Sequence, residues 1–361
     1  MTPRESTLSL YRREGYQYVP VSFGLCQSLR EAYRQRAGDV SFAEYFDYPE
    51  GFALEGVPGL KPIPRDPIDW SRYYESPVKE GTQFDVYGVA HEPGSEAAKH
   101  MTYMRHPLGR ATSLEELQAF PFPKWDADDT AHIRTAVERA HAEDKAAVGR
   151  MQCTIWETAW YIRDMTQLMM DMTMEDPKAA FMLDTITEHA SQKAVAFASC
   201  GVDIIELGDD IGMQQSIMMS AEMYDLWLKP RLARVIREAR AANPDVLIFY
   251  HTCGFVEPLI DRLVDAGVDI LNPVQPECMD FKTIHDRFGS QLSFNGTLGT
   301  QTTMPFGSPK DVRDVVFRNL DIAGEKGGLF CCPTHLLEPE VPWENIEAYV
   351  AACKEYGAAG S

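Results

Sequence analysis

The chain has 361 residues, 45% of them hydrophobic and 24% charged, a globular composition with enough apolar mass for a large buried core. Its formal net charge of -20 repels phosphate backbones and argues against nucleic acid as a partner, while leaving room for a small neutral or cationic substrate or a basic protein face. The polar start MTPRESTLSLYRREGY lacks the apolar region of a secretory signal, and no apolar run approaches a membrane span, so a cytoplasmic protein with no membrane partner is expected.

In chain order, YQYVPVSFG (16–24) suits a first strand. Residues 45–70, rich in Pro, Gly and aromatics, read as a long loop packed down by its rings. TQFDVYGVA (82–90) and HMTYMRHPL (100–108), joined by a polar loop containing EPGSEAAK, predict a β-hairpin, and AFPFPKWDADD (119–129) a further loop. From Val148 onward the rhythm is regular. AAVGRMQC is a strand and ETAWYIRDMTQLMMDM one helix, with Met165, Met169, Met170, Met172 and Met174 as core at helical spacing. Asp176-Pro177 starts the next helix as N-cap and first-turn proline. Strand GVDIIELGDD, one long helix over 221–242, strand VLIFYHTCG, and a helix closed by Gly267 follow. Then come strands VDILNPVQP and LSFNGTLG, a helix capped by Ser308-Pro309, strand GLFCCPTH, and a closing helix from PWEN.

Strands alternating with helices imply a parallel sheet with crossover helices. The fold predicted is α/β, a (β/α)₈ TIM barrel in one domain, 1–361, with an irregular N-terminal extension (1–147) carrying the hairpin and regular repeats over 148–361. A doubly wound open sheet lacks support, because no glycine-rich phosphate loop follows the first strand.

In such a barrel function sits where strands end. The strand ends carry Glu206, Asp209 and Asp210; His251 and Cys253; Asn272 and Gln275; Asn295; and Cys331, Cys332 and His335. Residues two apart in extended chain face one side, so the His251 imidazole and Cys253 thiol can share a cation that accepts N and S, such as zinc. Cys332 or His335 is then the further ligand, leaving a position open for substrate. In a reducing cytoplasm the eight cysteines are thiols or ligands rather than a disulfide framework. Glu206, Asp209 and Asp210 suit acid–base work or binding of a cationic substrate. They equally suit capping the next helix or binding loop amides. Glu206 and Asp209 are the catalytic candidates with Asn295, and Glu157, Trp156 and Gln275 are candidates for substrate binding.

The runs FYHTCGFVEPLIDRLVDAGVDILNPVQP, LSFNGTLGTQTTMPFGSPKDVRDVV and GLFCCPTHLLEPEVPWENI resemble the uroporphyrinogen decarboxylase superfamily, and within it the branch of corrinoid and coenzyme M methyltransferases. The resemblance runs from about residue 148 to the end, with YVPVSFG matching before it. It implies a (β/α)₈ barrel and zinc held through H-x-C and a late cysteine. His251 and Cys253 match the pair; counted back from PWEN, the late cysteine's place falls on His335, with Cys332 three residues earlier. In the cobalamin-independent methionine synthases, which look related, a glutamate is a further ligand, and its place here is Gln275. The arginine-rich N-terminal motif that binds porphyrinogen carboxylates is absent from PVSFGLCQSLREAYRQ, which argues against porphyrin decarboxylation. The resemblance thus implies zinc-dependent transfer of a methyl group between a small thiol or methoxy compound and a corrinoid protein or similar carrier, the corrinoid carried on a partner protein; a homodimer is compatible with the sequence, which does not fix the oligomeric state. Metal-free decarboxylation or lyase chemistry on a small carboxylate is the alternative, and a non-catalytic ligand- or corrinoid-protein-binding barrel a second one.

Overall fold

The computed structural model describes residues 1–53, 55–94 and 102–359. Six parallel strands form the main sheet in sequential order: β4 (Val148–Gln152), β5 (Ile204–Gly208), β6 (Leu247–His251), β7 (Ile270–Asn272), β8 (Ser293–Asn295) and β9 (Leu329–Phe330). Sequential order with helical crossovers is the arrangement of a TIM barrel, and the fold is one. The rest of the wall is irregular. Residues 51–57 run beside β4, with the Ala146 N–H donating to Gly51 O and Val57 N–H to Val148 O. Residues 24–26 bond Leu337, beyond β9.

YQYVPVSFG therefore forms no ladder strand; its neighbourhood contributes a single bridge, Leu25 to Leu337. Its apolar residues are still used, since Val19 and Val21 are buried. Among the described residues the hairpin region holds three strands rather than two: β1 (Gln83–Phe84), β2 (Ala90–Pro93) and β3 (Thr102–Arg105) form an antiparallel sheet in that order. TQFDVYGVA contains a turn, closed where the Gly88 N–H donates to Asp85 O at a positive φ of 75°. Most of EPGSEAAK lies outside the described residues. The charged start is a helix, Pro3–Arg12, whose Thr2 and Glu5 make a capping box. Among the described residues no helix is long and apolar enough to cross a membrane.

Two helices expected as single are broken. Asp164, at φ 76°, ends Trp156–Arg163 and caps Met165–Thr173 by accepting the Gln167 N–H. Ala221–Trp227 and Lys229–Ala242 meet at Leu228, because Pro230 has no N–H to continue the ladder. In the Met cluster, Met172 is core, whereas Met170 and Met174 are 50% and 71% exposed. The helices starting at Asp176 and Ser308 and the one closed by Gly267 lie where the caps place them.

The broken Trp156–Met172 region is held by a buried ion pair. Arg163 is 2% exposed, and its Nε donates to Asp171 Oδ2 at 2.9 Å while Nη1 donates to Leu108 O. Lys178 lies 3.7 Å from the other Asp171 oxygen. Removing the acid leaves a buried guanidinium without its counter-charge. Asp171→Ala is expected to lower unfolding stability by about 3–5 kcal/mol in urea titration followed by tryptophan fluorescence. A loss near zero would show that the pair does not hold this region.

Candidate metal centre

The inward-facing positions of the strands follow from register. Gly208, His251 and Asn272 lie side by side across β5, β6 and β7. Below them, Arg150, Glu206 and Phe249 form the next layer. Gly208 has a steric purpose: a Cβ there would sit 2.7 Å from His251 Cβ and from His251 O, so only glycine admits β6 this close at His251.

The His251 Nδ1 is 2.6 Å from Asn272 Oδ1. The Asn272 amide is oriented by its other end, which donates to the Asn295 backbone carbonyl at 3.0 Å and to Asn295 Oδ1 at 2.8 Å. A backbone carbonyl only accepts, so Oδ1 must be the atom facing His251, and Nδ1 must carry the proton. In the neutral ring Nε2 is then a bare lone pair. It points to Cys253 Sγ at 3.5 Å and Asp210 Oδ1 at 3.9 Å. Ligand atoms of Asp210, His251 and Cys253 all lie within 4.8 Å of one another. Thr252, between the two ligands in the chain, is buried on the opposite side.

The loops are tied together around this group. The Cys253 N–H donates to Asp210 Oδ1, the Gly254 N–H to Gln275 Oε1, and the Ile211 N–H to Thr252 Oγ1. Gln275, expected to meet substrate, is buried and its oxygen serves the loop. Cys332 and His335, expected beside the H-x-C pair, are outside the group. Cys332 is buried deeper in the barrel, its Sγ 3.4 Å from Asn295 Oδ1, and His335 is exposed on the rim. Asp210 stands in their place, because the loop after β5 folds back over the one after β6.

Asp209 is 3% exposed and its carboxylate accepts the N–H groups of Ile155 and Glu157. It caps, from a neighbouring strand, a helix whose own N-cap residue, Ile155, has no capping side chain. Burial, reinforced by the Glu157 charge, pushes its carboxyl up to about 8 against the pull of those donors. Trp156, a candidate for substrate contact, is fully buried in the core instead. Glu157 does reach the site: Oε2 accepts the Asp210 N–H and Oε1 the Tyr161 hydroxyl, and burial and the Asp210 charge raise its pKa. Burial, with the charges of Asp210 and Glu157, pushes the Cys253 thiol up to about 12.

Beneath His251 lies a cavity of about 210 Å³ lined by Glu206, Asn272, Asn295, Cys332, Arg150 and Tyr11, among others. Glu206 pairs with Arg150 Nε at 3.2 Å and accepts from Gln152. Asn295 donates to the Tyr11 hydroxyl at 2.7 Å. Tyr11 and Gly208 have no place in the sequence reading, and Asn272 appears there only as a polar group at a strand end. For Tyr11 there was no signal, since only the fold brings the N-terminal helix beneath β8; for Gly208, a glycine between Glu206 and Asp209 in a strand was the clue.

The family model for uroporphyrinogen decarboxylase (URO-D) matches residues 85–356. A methylated-thiol–coenzyme M methyltransferase of Methanosarcina mazei is 28% identical over 193 residues, covering 51% of this chain and 46% of that protein. A methylcobamide:CoM methyltransferase, MtaA, of Methanosarcina barkeri is 27% identical over 176 residues, covering 49% and 48%. The chain thus spans about half the length of the curated relatives it matches. The solved structure of a methyltransferase from Methanosarcina mazei superposes with a TM-score of 0.62 at 18% identity, covering 99% of both chains, a likeness of fold. With the family model spanning most of the barrel and its hairpin sheet, the chain belongs to the uroporphyrinogen decarboxylase (URO-D) family.

Proposed function

We propose that this chain is a zinc-dependent methyltransferase that moves a methyl group between a small thiol or methoxy compound and a corrinoid protein or similar carrier. The observation that carries the proposal is the convergence of Asp210, His251 and Cys253 at the barrel mouth, and similarity to proteins named as coenzyme M methyltransferases supports it. The residues fit zinc. They supply O, N and S donors, the histidine lone pair is aimed by its partner, and Asp210 and Glu157 raise a demand for positive charge beside a thiol that stays protonated without it. His251, Cys253 and Asp210 would hold the ion. Zinc, when bound, supplies a Lewis acid that keeps a thiol in its thiolate form at neutral pH.

The chain's own residues do the remaining work. Glu206 and Asn295, lining the cavity under His251, orient the substrate, and Arg150 holds Glu206 in place. Glu157 holds or releases a proton at the Asp210 side of the mouth. Asp209 positions Glu157 by fixing the start of its helix. The carboxyl of Glu206 inside the cavity suits one other reading, metal-free decarboxylation of a small carboxylate with Glu206 as the acid.

Metal analysis of freshly purified protein and methyl transfer from methylcobalamin to a thiol, followed by the cobalamin spectrum, separate the two. Stoichiometric zinc, lost together with transfer in His251→Ala, is expected. Metal-free protein that turns over a carboxylate would replace this reading with the other. Asn272→Ala, which frees the imidazole Nδ1, should weaken zinc binding roughly 10–100-fold in competition with a chelator, without loss of fold. Asp210→Ala should also lower zinc affinity, whereas Cys332→Ala should leave it unchanged. The reverse order would move the third ligand to Cys332.

A further inference from the structure

A second cavity, of about 280 Å³, lies on the free side of β4. Residues 51–57 follow β4 only as far as the bond from Val57 to Val148; the chain then turns away through Gly59 and Leu60. The space left between this segment, the later half of β4 and the helix Pro177–Ser199 stays open.

The charge of its walls runs against that of the molecule. The chain has 54 acidic and 34 basic residues, yet the described residues lining this cavity include no Asp or Glu; Arg150 there pairs with Glu206, which leaves Lys193 as the uncompensated charge. The Lys193 Nζ lies 3.7 Å from the centre of the Trp125 ring, and among the described residues it has no ion pair or hydrogen bond. The Trp125 Nε1–H is buried and has no acceptor among the described residues. A cation–π contact contributes about 0.5–2 kcal/mol and covers one side of an ammonium. It does not replace the acceptors that water would offer to the three N–H groups. His189 does not compete as a cation. Its Nδ1 is 3.2 Å from the Tyr87 hydroxyl, and burial drives its pKa down to about 4. Burial, with no acid among the described walls, lowers Lys193 to about 8, so an anion is the partner whose arrival would restore its charge.

We propose that this cleft binds the oxyanion end of a small molecule, with the Lys193 ammonium and the Trp125 indole N–H as its donors. The volume suits a carboxylate, sulfonate or phosphate on a short organic stem, and Tyr87 and Phe197 give the stem apolar walls. Arg150 also lines the cavity beneath His251, so the cleft adjoins that cavity while containing none of Asp210, His251 and Cys253.

The test is reductive methylation with formaldehyde at pH 8, quantified for each lysine by peptide mass spectrometry. It compares acetate, methanesulfonate and inorganic phosphate with chloride at constant ionic strength. At an anion concentration roughly ten times its dissociation constant, Lys193 labelling should slow about tenfold while exposed Lys282 and Lys310 are unaffected. The most protective anion identifies the end group. Lys193→Gln should abolish the anion-dependent rise in melting temperature. Unchanged Lys193 labelling in all three anions would overturn the proposal, and so would an equal thermal shift in Lys193→Gln. If that variant does not fold, protection in the unaltered chain decides. The readouts need no bound zinc, so they stand apart from any failure of methyl transfer.

Discussion

The candidate site depends on one hydrogen bond, from His251 Nδ1 to Asn272 Oδ1. Its direction is set by a group that cannot donate, the backbone carbonyl of Asn295 on the neighbouring strand. That carbonyl orients the Asn272 amide, the amide selects the tautomer, and the tautomer leaves Nε2 bare on the side of Cys253 and Asp210. The same amide chain ends on the Tyr11 hydroxyl, so the N-terminal helix helps to hold the imidazole. A histidine two residues from a cysteine is common. A histidine whose proton is assigned by a fixed acceptor presents a bare Nε2 in a fixed direction, as a metal site would require.

Electrostatics divide the barrel rim into two regions. At the mouth, Asp209, Asp210 and Glu157 crowd together. One of them, Asp209, is spent on a helix start that its own sequence leaves uncapped. The charge of the others favours a cation beside Cys253. Around the edge of β4 the balance reverses: Lys193 and Arg150 face a cavity without a carboxylate among its described walls. Arg150 borders both regions and is neutralised on the inner side by Glu206. The two sites therefore have opposite ionic preferences within one fold.

Much of the regular half was legible because its signals are local. Caps such as Asp176-Pro177 and Ser308-Pro309 act within one turn, and a glycine at positive φ closes a helix at Gly267. Failures came where distant groups overrule local pattern. YQYVPVSFG is apolar enough for a strand, yet it lies in the irregular arc of the wall and pairs only at its end. The run from Glu157 to Met172 has helical periodicity throughout, yet Asp164 in a left-handed conformation breaks it. Arg163 and Asp171, on either side of the break, make their ion pair across it.

The sequence by itself determined the alternation of strand and helix, the pairing of an imidazole and a thiol two positions apart, and their place at the end of a strand, since all three follow from periodicity and spacing. Which third group joins them was decided by the tertiary structure. Asp210, Cys332 and His335 all stand at strand ends, and only the folding of one loop over another selects Asp210. The tautomer of His251, the capping duty of Asp209 and the cleft at Lys193, with no acid among its described walls, belong to that level as well. Each depends on a contact between segments from 21 to more than 50 residues apart, and no local pattern encodes the direction in which such segments meet.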